Sequence, residues 1–162
     1  MTARSVLAVL FLLASLVPAS ARAAEWGGIT PGESDVESVR QRYGAPSREQ
    51  REKVEGHDTL RWIYEGEKAP RGLSSMEVSF GLLASGSYRP RTVRYFRLVP
   101  RAGIFTKEIV LTGWGEPSRV GKEKEQTIFF YQSGLVIYFD REELNAVSMV
   151  FGIPQPEPPA TR

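Results

Sequence analysis

VRQRYGAPSR, residues 39–48, recurs later in the chain as VLTGWGEPSR, residues 110–119. Both stretches begin with valine, place an aromatic residue before a glycine, and end in Pro-Ser-Arg. A glycine directly after a helical pattern is typical of a helix stop, because glycine adopts positive φ at little cost, and the proline that follows cannot continue the helix. Each stretch therefore predicts the end of a helix, at Gly44 and at Gly115.

The correspondence between the two stretches continues along the chain. LRWIYEG at 60–66 aligns with TIFFYQS at 127–133, MEVSF at 76–80 with LVIYF at 135–139, and TVRYFRLVP at 92–100 with AVSMVFGIP at 146–154. The aligned segments occur in the same order in both copies, and the number of residues between each segment and its counterpart decreases along the chain. This pattern predicts a duplicated unit whose second copy has shorter loops.

Each copy is expected to begin with a helix and continue as strands. In the first copy, Ser34 and Glu37 predict a capping box, followed by a helix with Val36, Val39 and Tyr43 on one face. Runs rich in β-branched and aromatic residues predict strands at 58–65, 74–83 and 91–99, and at 125–132, 134–140 and 145–153. The charged segment after each Pro-Ser-Arg adds a short edge strand. We therefore expect an α+β fold of two tandem helix-plus-antiparallel-meander repeats forming a helix-on-sheet layer.

The first 23 residues have the pattern of a secretory signal peptide. Arg4 precedes an apolar run at 6–17, and Ala21-Arg22-Ala23 ends the segment, so we expect cleavage after Ala23. Twelve helical residues span ~18 Å, which is too short for a hydrocarbon core of ~30 Å. The predicted organisation is a signal peptide at 1–23, a first repeat at 24–100, a second, shorter repeat at 101–153 and a proline-rich tail at 154–162.

Composition limits the classes of function. The chain has 21 basic and 19 acidic residues, and two of the basic ones, Arg4 and Arg22, lie in the predicted signal peptide. The remaining balance of 19 to 19 gives no bulk attraction to phosphate, so we expect no nucleic-acid partner. The absence of cysteine excludes disulfides, thiol catalysis and a lipid anchor on a signal-peptide cysteine. We expect a periplasmic or extracellular protein with neither a transmembrane nor a lipid anchor.

No motif predicts a catalytic residue, a metal or a cofactor. His57 is the one histidine and lies in a turn-like, charged stretch. The acidic clusters at 49–55 and 140–143 lack the spacing of a calcium loop, and the glycines at 81–86 do not open a helix as a phosphate loop requires. The arginine-rich stretch at 88–101 is interpreted as a strand whose arginines lie on the solvent-exposed face, with a polyanion-binding site as the alternative.

The run GESDVESVRQRYGAP, followed by W-x-Y and V-x-F strands, resembles the SmpA/OmlA domain of the outer-membrane assembly lipoprotein BamE. Two such units in tandem are similar to the β-lactamase inhibitor protein fold, over residues 29–154. The resemblance implies a binding role in cell-envelope assembly or in enzyme inhibition. The chain departs from the BamE pattern because it has no lipobox cysteine and no evident capping box before its second helix.

Alternation along the strands predicts which side chains face outward. It places Val93, Tyr95 and Val99 inside with Val147, Met149 and Ile153, despite Arg97 in the same row. It places seven residues on the outer face as a predicted binding surface: Ile128, Phe130, Val136, Tyr138, Val150, Arg94 and Phe96. Because a contiguous apolar patch marks a contact surface, we expect an exported, non-enzymatic protein that binds a protein partner through the open sheet face.

Several alternatives to this reading stay open. The outer face could pack against the other repeat or a second chain. The protein could be a periplasmic enzyme that uses carboxylates and arginines between the repeats. It could also be an envelope structural protein that binds lipid or peptidoglycan at the membrane periphery.

Overall fold

The computed structural model describes residues 22–154, which form a mainly β structure. All eight strands join one antiparallel sheet in the order β1-β2-β3-β4-β8-β7-β6-β5. The strands are β1 Arg48–Val54, β2 His57–Glu65, β3 Leu73–Ala84, β4 Ser87–Pro100, β5 Arg119–Glu123, β6 Gln126–Phe130, β7 Leu135–Phe139 and β8 Ala146–Phe151. The helices are α1 Val36–Tyr43 and α2 Lys107–Trp114, and a single 3-10 turn lies at Gly66–Lys68.

The predicted α+β fold of two helix-plus-meander repeats is wrong. Pairing of β4 with β8 merges the strands of both halves into one continuous sheet. Each helix has only eight residues and is therefore ~12 Å long, whereas eight strands make a sheet ~34 Å wide. Two such helices cannot form a layer over the sheet, so the strands dominate the structure.

Both helices end where the sequence predicts, but their N-terminal caps differ from the predicted ones. Gly44 and Gly115 follow the last helical residues with φ of 73° and 75°, which confirms both stops. The capping box of α1 lies one residue later than predicted, since the Asp35 carboxylate accepts from the Ser38 amide at 2.9 Å. For α2, the Thr106 hydroxyl accepts from the amide of Ile109, and this cap was missed in the sequence.

The core lies on one face of the sheet, beneath the helices. Val36 and Val39 of α1 and Val110 of α2 are buried there. The inward rows predicted for β3 and β7 are confirmed, because each of their residues is fully buried: Met76, Val78, Phe80, Leu135, Ile137 and Phe139. Trp62, Tyr64 and Phe129 are buried on the same face, so the opposite face of the sheet is the outer one.

A β-bulge corrects the predicted faces of β4. Ser79 pairs with Tyr95 but Phe80 pairs with Val93, which leaves Arg94 as an extra residue. One extra residue reverses the alternation beyond it. Val93 faces the core as predicted, but Phe96 lies in the core rather than on the outer face, and the inward placement of Tyr95 is wrong.

A second bulge lies at the equivalent place in β8. Tyr138 pairs with Ser148 and Phe139 with Ala146, so Val147 is the extra residue. Met149 is fully buried, as predicted, whereas the inward placements of Val147 and of Val99 in β4 are wrong. The last strand of each half, β4 or β8, therefore contributes an aromatic side chain to the core. Phe96 of β4 stacks on Phe151 of β8, with 4.5 Å between the ring centroids.

The predicted chain ends fall largely outside the described residues. This applies to residues 1–21 of the predicted signal peptide and to residues 155–162 of the proline-rich tail. Within residues 22–154, neither helix combines the length and apolar character needed to cross a membrane.

Candidate binding face

The repeated Pro-Ser-Arg motif connects each helix stop to the sheet. The Tyr64 hydroxyl donates to the Gly44 carbonyl at 3.1 Å, and the Tyr131 hydroxyl donates to the Gly115 carbonyl at the same distance. Burial raises the pKa of both tyrosines to about 12. The repeated hydrogen bonds show that the glycine at each helix stop has a structural role.

The serine and arginine of the motif lead into the edge strands. The Ser47 and Ser118 hydroxyl oxygens accept backbone amides at 3.0 and 3.1 Å, from Glu65 and Gln132 respectively. Arg48 forms an ion pair with Glu65 at 2.9 Å, whereas the Arg119 guanidinium lies 4.4 Å from the centroid of the Phe130 ring. The two arginines thus begin equivalent strands but contact different groups.

One row of outward-facing side chains crosses all eight strands. Neighbours in this central row are cross-strand partners. In order, the row contains Arg48, Ile63, Glu77, Arg97, Val150, Val136, Phe130 and Arg119. From either edge inward, the row meets an arginine and then a large apolar residue. The two innermost positions are charged in the first half and valine in the second.

The outer face of the first half is a polar network. Arg61 forms ion pairs with Glu52 at 2.8 Å and with Glu77 at 3.4 Å. The Tyr95 hydroxyl donates to Glu77 at 3.2 Å, and Arg94 donates to the Ser79 hydroxyl at 3.0 Å. Arg94 is therefore on the predicted face, but it lies within this network.

The outer face of the second half carries an apolar patch, formed by Ile128, Phe130, Val136, Tyr138 and Val150. Phe130, Val136 and Val150 are consecutive in the central row, and Ile128 pairs with Tyr138 beside them. Ile128 is 5% exposed, and the other four side chains are partly exposed. The structure thus brings together five of the seven predicted residues, and it separates Phe96 from them on the opposite face.

A depression of about 340 Å³ lies beside the patch, over the bulge of β8. Its lining residues are Arg97, Gln126, Tyr138, Val147, Ser148 and Val150. The Arg97 guanidinium donates through Nε to the Ser148 hydroxyl at 2.9 Å. Sequence reasoning missed Arg97 because it placed the residue on the inner row. An arginine in an otherwise apolar inner row was the signal that the alternation breaks upstream.

The remaining polar clusters are local. The His57 ring stacks on Tyr88 at 4.2 Å, beside the β1–β2 turn. Hydrogen bonds from the hydroxyl of Thr127 at 2.6 Å and the ammonium of Lys107 at 3.0 Å lower the pKa of Glu143. Asp140 accepts the Leu144 amide at 2.7 Å and thereby shapes the β7–β8 turn. Among the described residues, no group of three or more His, Cys, Asp or Glu side chains is placed to hold a metal ion.

Comparison with known proteins identifies similarity of fold alone. No protein-family model matches the chain, and no curated protein matches it. The fold is similar to a crystal structure of a DUF4309 family protein, YjgB, from Bacillus subtilis, with a TM-score of 0.51 and 14% identity over 82% of this chain and 88% of that chain.

A weaker similarity is to an extracellular protein containing an SCP domain from Bacillus anthracis. The TM-score is 0.43 at 13% identity, and the match covers 74% of this chain but only 43% of that one. The YjgB structure is that of a DUF4309 family protein and not of an SmpA/OmlA domain or a β-lactamase inhibitor protein. The resemblance to those families inferred from the sequence is therefore wrong, because the short motif that suggested it is a helix stop followed by strands.

Proposed function

We propose that the protein is exported to the periplasm or the extracellular space and binds a protein partner there, without catalysis, through the apolar patch. Export is supported by the signal-peptide pattern at residues 1–23. The proposed binding role rests on one observation: the outer face is a polar network in the first half of the sheet and an apolar patch in the second half.

The contrast shows that the fold does not require apolar residues at these positions. Glu77 and Arg97 are cross-strand partners in the first half, and Val136 and Val150 are cross-strand partners at the equivalent places in the second half. The same strand pairing thus forms with charged or with apolar side chains. Since leaving large apolar groups in water costs free energy, the patch is explained by a partner that covers it.

The core does not supply that cover. The buried residues of both helices pack with the inward rows, on the other side of the sheet from the patch. The four patch residues other than Ile128 therefore stay partly exposed within the described chain, and an aromatic residue at the patch edge, Phe130, is suited to anchor a protein interface.

The proposal is tested by adding charge to the patch of the mature chain. Phe130→Lys and Tyr138→Lys are compared with Ile63→Lys, which changes the position equivalent to Phe130 in the first half. Photo-crosslinking in the native envelope or secreted fraction identifies the partner, and binding is then measured with the purified partner. Stability is measured by chemical denaturation.

We expect Phe130→Lys and Tyr138→Lys each to lose binding while lowering the free energy of unfolding by less than ~1 kcal/mol, because both side chains lie outside the core and are partly exposed. Ile63→Lys should retain binding. A loss of several kcal/mol would show that the patch is packed as core, and unchanged binding by both patch variants would remove the patch as the contact surface.

A further inference from the structure

We infer that the depression over β8 receives a carboxylate group of the partner, so that the contacting segment of the partner is acidic at this point. This inference rests on the proposed function, because it assigns the chemistry of one part of the same interface. It depends on three features of the depression: an arginine without an acidic partner, a second uncommitted donor, and apolar walls.

Arg97 is turned toward the depression and away from the acids of the first half. Its cross-strand neighbours are Glu77 on one side and Val150 on the other. The Glu77 carboxylate pairs with Arg61 and accepts from the Tyr95 hydroxyl, both through Oε1. The Arg97 guanidinium instead bonds the Ser148 hydroxyl, and among residues 22–154 it has no ion-pair partner.

The serine contact leaves the outer nitrogens of the guanidinium available. A hydrogen bond through Nε fixes the side chain, while both terminal nitrogens of Arg97 lack hydrogen-bond acceptors in the described chain. Guanidinium groups bind carboxylates by a planar pair of hydrogen bonds, which makes arginine suited to this ligand. Ser148 thus acts as a positioning residue for Arg97.

The walls of the depression favour a charged contact within it. The Tyr138 hydroxyl makes no hydrogen bond to any residue in 22–154, so it can donate to the same ligand. Val147 and Val150 form apolar walls beside these donors. Partial exclusion of water by apolar walls strengthens the attraction between opposite charges.

A second copy of this chain is a poorer occupant than an acidic partner. Two carboxylates of the outer face of the first half, those of Glu52 and Glu77, already pair with Arg61. The second half of the central row ends in another arginine, Arg119. Two such faces brought together would place Arg97 and Arg119 of one copy near those of the other, which opposes association.

The inference is tested on the isotope-labelled mature chain by NMR titration with the α-methylamide of N-acetylglutamate, whose one charge is the side-chain carboxylate, using the α-methylamide of N-acetylglutamine as the neutral control of the same shape. We expect the glutamate compound to shift the Ser148 amide and Arg97 Nε–H signals and to bind roughly tenfold more tightly or better than the glutamine compound. Arg97→Gln should remove this preference. Arg48→Gln should keep it, because Arg48 is already paired with Glu65.

Arg97→Lys provides a second variant, since it keeps the charge but loses the planar pair of donors, and its affinity should fall between those of the parent and Arg97→Gln. Equal binding of the two compounds, or equal loss in Arg48→Gln, would overturn the inference. The partner identified by crosslinking separates the two proposals. If Phe130→Lys abolishes its binding while Arg97→Gln leaves it unchanged, the carboxylate contact is wrong and the proposed function stands. If neither change affects binding, both fail.

Discussion

Arg97 and Val150 are cross-strand partners where β4 meets β8, and they occupy equivalent positions when the central row is followed inward from its two edges. The sheet therefore has an approximate two-fold arrangement centred on this pair. One member is a charged residue and the other is apolar, although the backbone frame around them is the same. The difference between the halves thus lies in their surface chemistry.

The glycines after the two helices should be sensitive to any side chain. Gly44 has φ 73° and ψ −161°, a region that is essentially restricted to glycine. A Cβ at this position would meet no atom within 4 Å, so the cost arises from the backbone alone. We expect Gly44→Val to lower the free energy of unfolding by more than ~1 kcal/mol, as measured by denaturant titration.

Gly113→Ala is the matched control for that experiment. Gly113 lies within α2 without positive φ, and an added Cβ would again meet nothing within 4 Å. Alanine in a helix is more favourable than glycine by roughly 0.5–1 kcal/mol, so this variant should be stabilised. A Gly44→Val stability within error of the parent would remove the glycine stop as a determinant of the fold.

The bulge in β4 predicts opposite sensitivities at two adjacent aromatic residues. Phe96 is fully buried and stacked on Phe151, so Phe96→Ala should cost roughly 3–5 kcal/mol. Tyr95 is partly exposed and bonds Glu77, so Tyr95→Ala should cost about 1 kcal/mol. Urea titration of both variants measures the difference. The reverse order would support uninterrupted alternation and exclude the bulge.

Acid should weaken the contacts of Glu143. Hydrogen bonds from Thr127 and Lys107 hold the pKa of this carboxyl below its usual value of 4.5. Because the folded-state pKa is depressed, the stabilisation is present above the unfolded-state pKa and is lost as the pH falls through the folded-state pKa. We expect Glu143→Gln to be less stable than the parent at neutral pH and the difference to shrink as the pH falls below the usual carboxyl value of 4.5.

Glu142→Gln provides the comparison for this pH series, because Glu142 is exposed and forms no ion pair within residues 22–154. Its stability difference from the parent should stay small throughout. Denaturation curves recorded across the pH range give both differences. A Glu143→Gln deficit that did not change with pH would mean that carboxylate ionisation is not the source of the stabilisation.

Alkaline conditions should weaken the contact between Tyr64 and the first helix stop. Burial raises the pKa of Tyr64 from 10.0 to about 12, so the fold favours the neutral phenol. That stabilisation is present below the unfolded-state pKa and is lost as the pH rises through the folded-state pKa. Tyr64→Phe, which loses the bond to Gly44, should cost roughly 0.5–1.5 kcal/mol at neutral pH.

The difference between the parent and Tyr64→Phe should narrow as the pH rises from 10 to about 12. Tyr131→Phe should behave in the same way, since Tyr131 makes the equivalent bond to Gly115. Thermal or denaturant unfolding in this pH range provides the measurement. A constant difference would show that ionisation of Tyr64 is not coupled to unfolding.

The candidate site could be predicted in part because β6 and β7 alternate regularly. Phe130, Val136 and Tyr138 lie on the outer face as expected, since each strand contributes side chains to its two faces in turn. The depression beside them could not be predicted, because Arg97 faces outward only through the bulge in β4 and then bonds Ser148 of a different strand.

The sequence by itself determined the features that depend on neighbouring residues: the glycine stops and the inward rows of β3 and β7. Each follows from local conformational preference or from side-chain period. Only the tertiary structure decided that β4 pairs with β8, that Arg94 and Val147 are bulged, and that Phe96 is core while Arg97 faces outward. The physical reason is that strand order depends on contacts between distant segments, and one unpaired residue reverses every face that follows it.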